Sequence, residues 1–589
     1  MRAAMDPPRL PCSMPARAKR VRKRPAAARK RVVGEYSSTA APATDPVAAH
    51  HRDLGPAAVH DVDRDVVEYS STMGPVICRG RKRGRPRLRT PAQYEGISAQ
   101  SLPQTREPLP EWACTAPKGD EFPRQPWADH IVHTLVSNGH LPRSSQKKVQ
   151  LQVWSDCSGI NSEKFAWNEI QEAINRLIGA DVSLMLYYTC ESEAKSLVFA
   201  KANHHPKHVG SNMSQRNFAS GVFWCTVHEE NFPIPQSGVD LYVGTYPCSP
   251  WSRRGPRTGW DHPSVEPFRI GIQSLSYMQP AVWIIEMGEL PENASLDDIL
   301  SEIQSMLSQD NRQYIIQVVR SLGPQSQGYP IKRTRTYFLG WRDDVAPLVE
   351  VAQPLHNLIR SPIDVTSSYR GFLKITHPYD WSGVGNFLVG RDLEFLSQSA
   401  CCCSCNPYVL CPVHRCKCDK CGPDGLQCTW RSMLRQLIEK EGLSSQAGSM
   451  EGKMCYINAL EIQGGVAPTR QRVRTLLNII ALLPGSQPLQ DTLMLVDKSQ
   501  NPPFGSWPTD GMAPTLTTTS QLWSMSAGRE LQAWELAALM GFDTNRMELQ
   551  GQTEPWFRKR LGLAVHVPNF GLVLAAALAR PLQALLGMP

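Results

Sequence analysis

Hydrophobic positions are sparse and aperiodic over the first stretch of the chain and become regular from about residue 126. Val149, Leu151 and Val153 alternate with polar neighbours, the two-residue period of a half-buried strand, and a Ser-Gly turn follows. A helical stretch then runs from Ser162 to Leu177, and the apolar segment Val182-Ser183-Leu184-Met185-Leu186 leads to Cys190-Glu191. Asp240-Leu241-Tyr242-Val243 and Val282-Trp283-Ile284-Ile285 are short apolar runs suited to parallel strands covered on both faces. Ser295-Leu296-Asp297-Asp298 opens a helix as a capping-box variant, with Leu296, Ile299, Leu300, Ile303 and Leu307 along one face. Strands alternating with helices predict an α/β fold with a doubly wound sheet, whose ligands bind just beyond the carboxyl ends of the strands.

Composition separates the first 125 residues from the rest. They are rich in Pro, Ala, Arg and Ser and cannot bury enough apolar surface to offset their ordering entropy, so they are expected to form a disordered arm. The whole chain has 63 Lys/Arg against 54 Asp/Glu, net +9, whereas its first 110 residues have 21 against 10, an excess of +11. The remainder is thus close to neutral, and a basic arm on a neutral body points to an acidic polymer such as nucleic acid. Lys19-Arg20-Val21-Arg22-Lys23-Arg24 and Arg29-Lys30-Arg31 resemble a nuclear-localisation run, although a solvated basic tail reads the same way. Arg81-Lys82-Arg83-Gly84-Arg85-Pro86-Arg87 resembles an AT-hook, in which Arg83, Gly84, Arg85, Pro86 and Arg87 lie extended in a narrow minor groove. No apolar signal region opens the chain, and no stretch approaches the roughly 18 apolar residues of a membrane span. Phe570 to Ala579 comes nearest and stops at Arg580.

Candidate chemistry concentrates after the predicted strands. Val239 to Val243 delivers Pro247-Cys248 into a loop backed by Ser252, Arg253, Arg254 and Gly255. Alone, a Pro-Cys pair after a strand also reads as a structural cysteine. Its companions arrive in a fixed order: Cys157-Ser158-Gly159-Ile160 after the first strand, Glu191-Ser192 after the second, then Asn203-His204-His205-Pro206 and Asn212. Beyond Cys248 come Glu286-Met287-Gly288, then Arg333-Thr334-Arg335. Ala513-Pro514-Thr515-Leu516-Thr517, Arg529-Glu530, Leu539-Met540-Gly541-Phe542 and Gly562-Leu563-Ala564-Val565-His566-Val567-Pro568 complete the series.

This series, over about residues 149 to 580, resembles the DNA (cytosine-5) methyltransferases. The resemblance implies a Rossmann-like S-adenosylmethionine-dependent fold with an inserted target-recognition domain. It implies a methyl transfer to carbon 5 of a flipped cytosine in double-stranded DNA, with Cys248 as nucleophile and Glu286, Arg333 and Arg335 assisting. It places S-adenosylmethionine against Cys157, Ser158, Gly159, Ile160, Glu191, Ser192, Asn212, Pro247, Ala564 and Val565. The sequence departs from the family pattern at Ser155, Cys157, Asn161, Met287, Ile331 and Leu563. Two other readings therefore stay open: a DNA-binding relative without catalysis, and an RNA cytosine-5 methyltransferase.

The division implied is a basic arm (1–125), a catalytic part (126–345), an insert (346–510) and a closing catalytic part (511–589). About half of the 17 cysteines fall between Cys401 and Cys428. With no secretion signal, their short spacings read as structural zinc ligands before disulfides, from Cys403, Cys405, Cys411, His414, Cys416, Cys418, Cys421 and Cys428. Arg470, Arg472 and Arg474 fit phosphate contacts or a plain basic face. Nuclear localisation and chromatin partners are expected, and no membrane association.

Replacing Arg83, Arg85 and Arg87 with alanine should weaken binding to A·T-rich duplex. It should also flatten the salt dependence, by about 0.9 in log–log slope for each phosphate no longer neutralised. A fluorescence-anisotropy salt titration reads this, and an unchanged slope would count against the groove-binding arm.

Overall fold

A computed structural model describes residues 127–252, 258–290, 295–307, 314–345, 455–482, 494–500 and 511–587, with isolated positions between. The basic arm with Arg83, Gly84, Arg85, Pro86 and Arg87, the Arg253-Arg254 pair, and the cysteine-rich segment from Cys403 to Cys428 lie outside the described residues.

Seven strands form one central sheet: β1 (Lys148–Asp156), β2 (Asp181–Cys190), β3 (His208–Gly210), β6 (Leu241–Gly244), β7 (Val282–Gly288), β8 (Tyr314–Leu322) and β9 (Arg335–Arg342). Their spatial order is β3-β2-β1-β6-β7-β9-β8. All neighbours are parallel except β9, which runs antiparallel between β7 and β8. The intervening β4 (Val222–Cys225) and β5 (Glu230–Pro233) form a separate hairpin.

Helices cover both faces. Strand alternation sends Leu151, Val153, Leu241, Val243, Val282, Ile284 and Leu339 to one side. There they meet α1 (Trp127–Ser137), α2 (Ser162–Ile178) and the closing helix α10 (Val567–Leu585). Trp154, Tyr242, Trp283, Ile285, Met287 and Phe338 face the other side, against α4 (Glu266–Met278) and α5 (Ser295–Leu307). With both faces covered, β7 is buried along its whole length, as its continuous apolar run predicts. The apolar face of α5 is the expected one, with Leu296, Ile299, Ile303 and Leu307 buried. Helix α3 (Ala194–His204) links β2 to β3.

The chain returns to this sheet after residue 510. Lys332 N donates to Ala513 O (2.8 Å) and Ala513 N to Pro330 O (2.7 Å), so the returning segment runs parallel to residues 330–332. Helices α6 (Tyr456–Ile462) and α7 (Gln471–Ala481) build a smaller core with Met494, Val496, Trp523 and Met525. Beside it β10 (Leu495–Asp497), β11 (Leu522–Ser524) and β12 (Arg529–Glu530) form a three-stranded sheet. Arg474 of α7 is committed to Glu461, bonding both carboxylate oxygens (2.6 and 3.0 Å). Helices α8 (Ala533–Leu539) and α9 (Glu554–Leu563) then lead to α10.

Among the described residues no single helix is long and apolar enough to cross a membrane; α9 and α10 pass by length and composition only as a bent pair. Most of α10, including Phe570 to Ala579, is buried in the core. Its interior Pro581 has no N–H and leaves Ala577 O without a helical donor. Trp341 Nε1 on β9 takes that place at 2.8 Å.

Trp341→Phe should therefore cost about 2–4 kcal/mol, combining an orphaned buried carbonyl with poorer packing. Urea unfolding should show a lower midpoint at unchanged slope; an unmoved midpoint would mean that Ala577 finds another donor.

Candidate active site

Strand order reverses between β1 and β6, which opens a crevice beyond their carboxyl ends. Two loops meet there, Cys157 to Asn161 after β1 and Thr245 to Ser252 after β6. Thr245 N donates to Asp156 O (3.1 Å) and its hydroxyl to Cys157 O (2.7 Å), fixing one loop to the other. The antiparallel course of β9 matters here, because it brings its first residue, Arg335, to the same edge. Arg335 is paired in register with Gly288, the last residue of β7.

Cys248 lies against that pair. A Cβ added at Gly288 would stand 2.7 Å from Cys248 Sγ, so the bare backbone there makes room for the thiol. Two residues back on the same face, Glu286 is buried and its Oε1 meets Arg335 Nε at 2.8 Å. Burial raises the Glu286 pKa, opposed by the charges of Arg335 and Arg333. The half-buried thiol of Cys248, the carboxyl of Glu286 and the guanidinium of Arg335 thus converge at one strand end.

Arg333 is placed differently from its neighbour. It is buried and donates to Leu516 O (2.8 Å), Gly562 O (3.1 Å) and Ala564 O. Burial and the Arg335 charge lower its pKa to about 9, which still leaves it charged at neutral pH. It acts as a clamp between the arginine segment and the returning chain, one residue beyond where Thr515 Oγ1 bonds Lys332 O. Ala564 and Val565 are held by this arrangement against the start of α2, with Val565 N donating to Ser162 Oγ (3.1 Å).

The loop after β1 faces the loop after β2. Gly159 N donates to Glu191 Oε2 (2.9 Å), and Glu191 Oε1 accepts from Glu193 N (3.0 Å) and Ser192 Oγ (3.3 Å). Ser158 Oγ meets Thr189 Oγ1 at 2.7 Å, and Ile160 is buried beneath. Space beside Gly159 is open, with nothing within 4 Å of where its Cβ would be. Asn161 takes a left-handed conformation (φ 52°), which Asn tolerates better than most residues. Its Nδ2 bonds Glu163 Oε1 (2.9 Å) and Thr189 Oγ1 (3.1 Å). Asn212 is exposed on the loop after β3, its Oδ1 capping Ser214 (2.9 Å to N). Pro247 is exposed beside Cys248.

Sequence reasoning missed a buried polar network under this crevice. Asp156, the last residue of β1, pairs with Arg216 through two hydrogen bonds and accepts another from Tyr242 Oη. Arg216 also bonds Ser274 Oγ (2.7 Å), and its guanidinium lies 5.1 Å from the ring centroids of both Trp154 and Tyr188. Tyr246 extends the network, its ring wedged between Gly244 and Gly271, where any Cβ would collide with it. The signal available in the sequence was an Asp closing an apolar strand, but its partner lies 60 residues away. Two thiols near this network are pushed up by burial, Cys190 to about 12 and Cys157 well above its ordinary value.

No family model matches the chain, and no curated protein matches it. Among solved structures it is similar to a DNA modification methyltransferase encoded within an E. coli prophage: 15% identity, 72% of this chain and 98% of that one, TM-score 0.39. It is also similar to the Dnmt2 methyltransferase of S. pombe (14%, 73% and 98%, TM-score 0.35). The Entamoeba histolytica methyltransferase EhMeth stands at 13%, 73% and 98%, TM-score 0.35.

Glu163 offers a test of the crevice's electrostatics. Its carboxyl is buried, accepts from Ser155 Oγ (2.6 Å) and Asn161, and has an Oε2 without a partner. Burial raises its pKa from 4.5 to about 7. Between those values the folded chain binds more protons than the unfolded one, so this group makes stability fall as pH rises. Glu163→Gln should flatten that slope, by up to about 1.4 kcal/mol per pH unit, in urea midpoints from pH 4.5 to 7. Parallel profiles for the two proteins would refute the assignment.

Proposed function

We propose that this chain is an S-adenosylmethionine-dependent DNA (cytosine-5) methyltransferase that works through a covalent adduct on Cys248. The observation that carries the reading is the convergence of Cys248, Glu286 and Arg335 at the strand end beside Gly288. A thiol, a carboxyl held toward its protonated form by burial, and a guanidinium match the three demands of activating cytosine at carbon 5.

S-adenosylmethionine would sit at the switch point between β1 and β6. Open space at Gly159, with the Glu191 carboxylate at its rim, fits a group carrying ribose hydroxyls. Glu191 would accept those hydroxyls, while Cys157 to Ile160, Ser192, Asn212, Pro247, Ala564 and Val565 would frame the remainder. When bound, S-adenosylmethionine supplies an electrophilic methyl group.

Cytosine is a poor nucleophile at carbon 5, so the base must be activated first. The Cys248 thiolate adds to carbon 6. Glu286 holds or protonates ring nitrogen 3 and draws off the electron density that the addition brings. Arg335 faces the carbonyl and stabilises developing charge. Carbon 5, now enamine-like, would take the methyl group and leave the cofactor as a thioether; a base or water then takes the carbon 5 proton, and the electron pair of that C–H bond expels Cys248 as thiolate. Arg333 acts on this chemistry by position, fixing the segment that carries Arg335 to Leu516, Gly562 and Ala564. A paired base cannot reach such a crevice, so the target is flipped out of the duplex.

DNA as the substrate is supported by the basic arm with its AT-hook-like run and by the long insert between the arginine segment and Ala513. The same arm fits nuclear residence, and the Cys403 to Cys428 segment fits structural zinc within the recognition insert.

Incubation with a 5-fluorocytosine duplex and S-adenosylmethionine should leave the wild-type protein covalently attached to DNA, because fluorine cannot leave as a proton does. Cys248→Ala should give no adduct. Cofactor binding without adduct on DNA or RNA would favour a binding protein, and an adduct on RNA alone would reassign the substrate.

A further inference from the structure

Away from the crevice, the β3 edge of the central sheet and the hairpin docked on it carry three side chains that the proposed reaction does not use. His208 opens the edge strand β3, and Cys225 and His228 flank the turn between β4 and β5. One donor atom from each lies within 4.8 Å of the others, and Cys225 Sγ is 3.1 Å from His228 Nδ1. We propose that His208, Cys225 and His228 bind a divalent transition-metal cation, with zinc the best fit, and leave a fourth coordination position to solvent.

The backbone explains why these groups meet. Cys225-x-x-His228 spans a turn closed by Glu229 N donating to Cys225 O (2.9 Å), so one turn presents two donors. The hairpin is docked on the edge strand through Thr226 N and Thr226 Oγ1, which both donate to Val209 O (2.7 and 3.1 Å). That docking brings His208 in as the third donor. Tetrahedral zinc with bonds of about 2.3 Å to sulfur and 2.0 Å to nitrogen sets its donors roughly 3.3–3.6 Å apart. One spacing here is 3.1 Å and none exceeds 4.8 Å, within reach of that geometry by adjustment of side chains.

The chemistry of the donors points the same way. Cys225 is fully buried, and its sulfur receives Val209 N–H at 3.4 Å. His208 is 2% exposed, and its buried Nδ1 has no hydrogen-bond partner. Such a nitrogen, among the rings of Tyr187, Phe223 and Phe232, is costly unless something uses the imidazole. Lys207 is turned onto the Tyr187 ring, 5.0 Å from its centroid. One thiolate with two imidazoles suits zinc, copper or nickel and is a poor set for magnesium or calcium. His228 is exposed, which leaves that side of the site open to water. A bound cation would pin the hairpin to β3, the strand leading through Gly210 to the Asn212 rim of the crevice. The site stands whether or not the chain transfers methyl groups.

Full-length protein, wild type and carrying His228→Gln or Cys225→Ser, would be loaded with zinc, desalted and analysed for metal by mass spectrometry. The cysteine-rich segment contributes equally to all three, so the difference isolates this site. Wild type should hold about one more zinc per chain than either variant, and its cobalt(II) form should lose sulfur-to-metal charge-transfer intensity in Cys225→Ser. His228 is exposed, so His228→Gln should fold normally by circular dichroism and serves as the deciding variant. Equal zinc content in wild type and folded His228→Gln, with unchanged affinity in chelator competition, would overturn the proposal.

Discussion

The buried guanidinium of Arg333 ties the segment before β9 to the chain that returns after residue 510. It carries charge into a region closed to water, and among the described residues no carboxylate bonds it directly. Three backbone carbonyls, Leu516, Gly562 and Ala564, satisfy it instead. Hydrogen bonds to a charged donor contribute about 1.5–3 kcal/mol each when fully formed. All three acceptors come from the segment that follows the insert, so the bond set exists only when that segment has returned to the sheet. Leu358, Phe372 and Leu373, from the stretch between these two segments, are buried in the same core, and Phe372 packs on Tyr329.

A second buried charge organises the opposite side of the crevice. Asp156 and Arg216 are both inaccessible to solvent, and a lone member of such a pair would be strongly destabilising. Tyr242 and Ser274 take up further bonding capacity, and two aromatic faces flank the guanidinium. The pair therefore fixes where β1 ends, and with it the turn that carries Cys157, Ser158 and Gly159. Its cost is offset by geometry more than by Coulomb attraction, because every polar group of the pair but Arg216 Nε has a partner.

How much of this was legible in the sequence depended on the range of the interaction. Strands β1, β2, β6 and β7 and helices α2 and α5 announce themselves by local period and apolar runs, and a doubly wound sheet with a switch point follows from alternation of strand and helix. Glu286 and Gly288 could be placed on one face because a strand's side chains repeat every second residue. The antiparallel course of β9 could not be read, since nothing local to Arg335-Thr336-Tyr337 specifies direction. Nor could the division of labour between Arg333 and Arg335. Two arginines separated by one residue look equivalent on paper, yet one reaches Glu286 and the other is consumed by carbonyls on segments more than 180 residues away.

The departures from the family pattern also separate once the backbone is known. Asn161 is absorbed: the position demands a left-handed conformation, and its amide is used by Glu163 and Thr189. Met287 is absorbed too, since it points to the opposite face from Glu286 and is 0% exposed in the apolar cluster with Trp283 and Ile285. Leu563 is different. It is 54% exposed at the end of α9, between the Gly562 and Ala564 carbonyls that Arg333 holds. A single leucine in water is ordinary on a protein surface and by itself marks nothing. Its position is what matters, because the backbone on either side is fixed by the same clamp that carries Arg335. The fold neither needs this side chain nor is harmed by it. Of Asn161, Met287 and Leu563, it is the one that packing and hydrogen bonding do not account for.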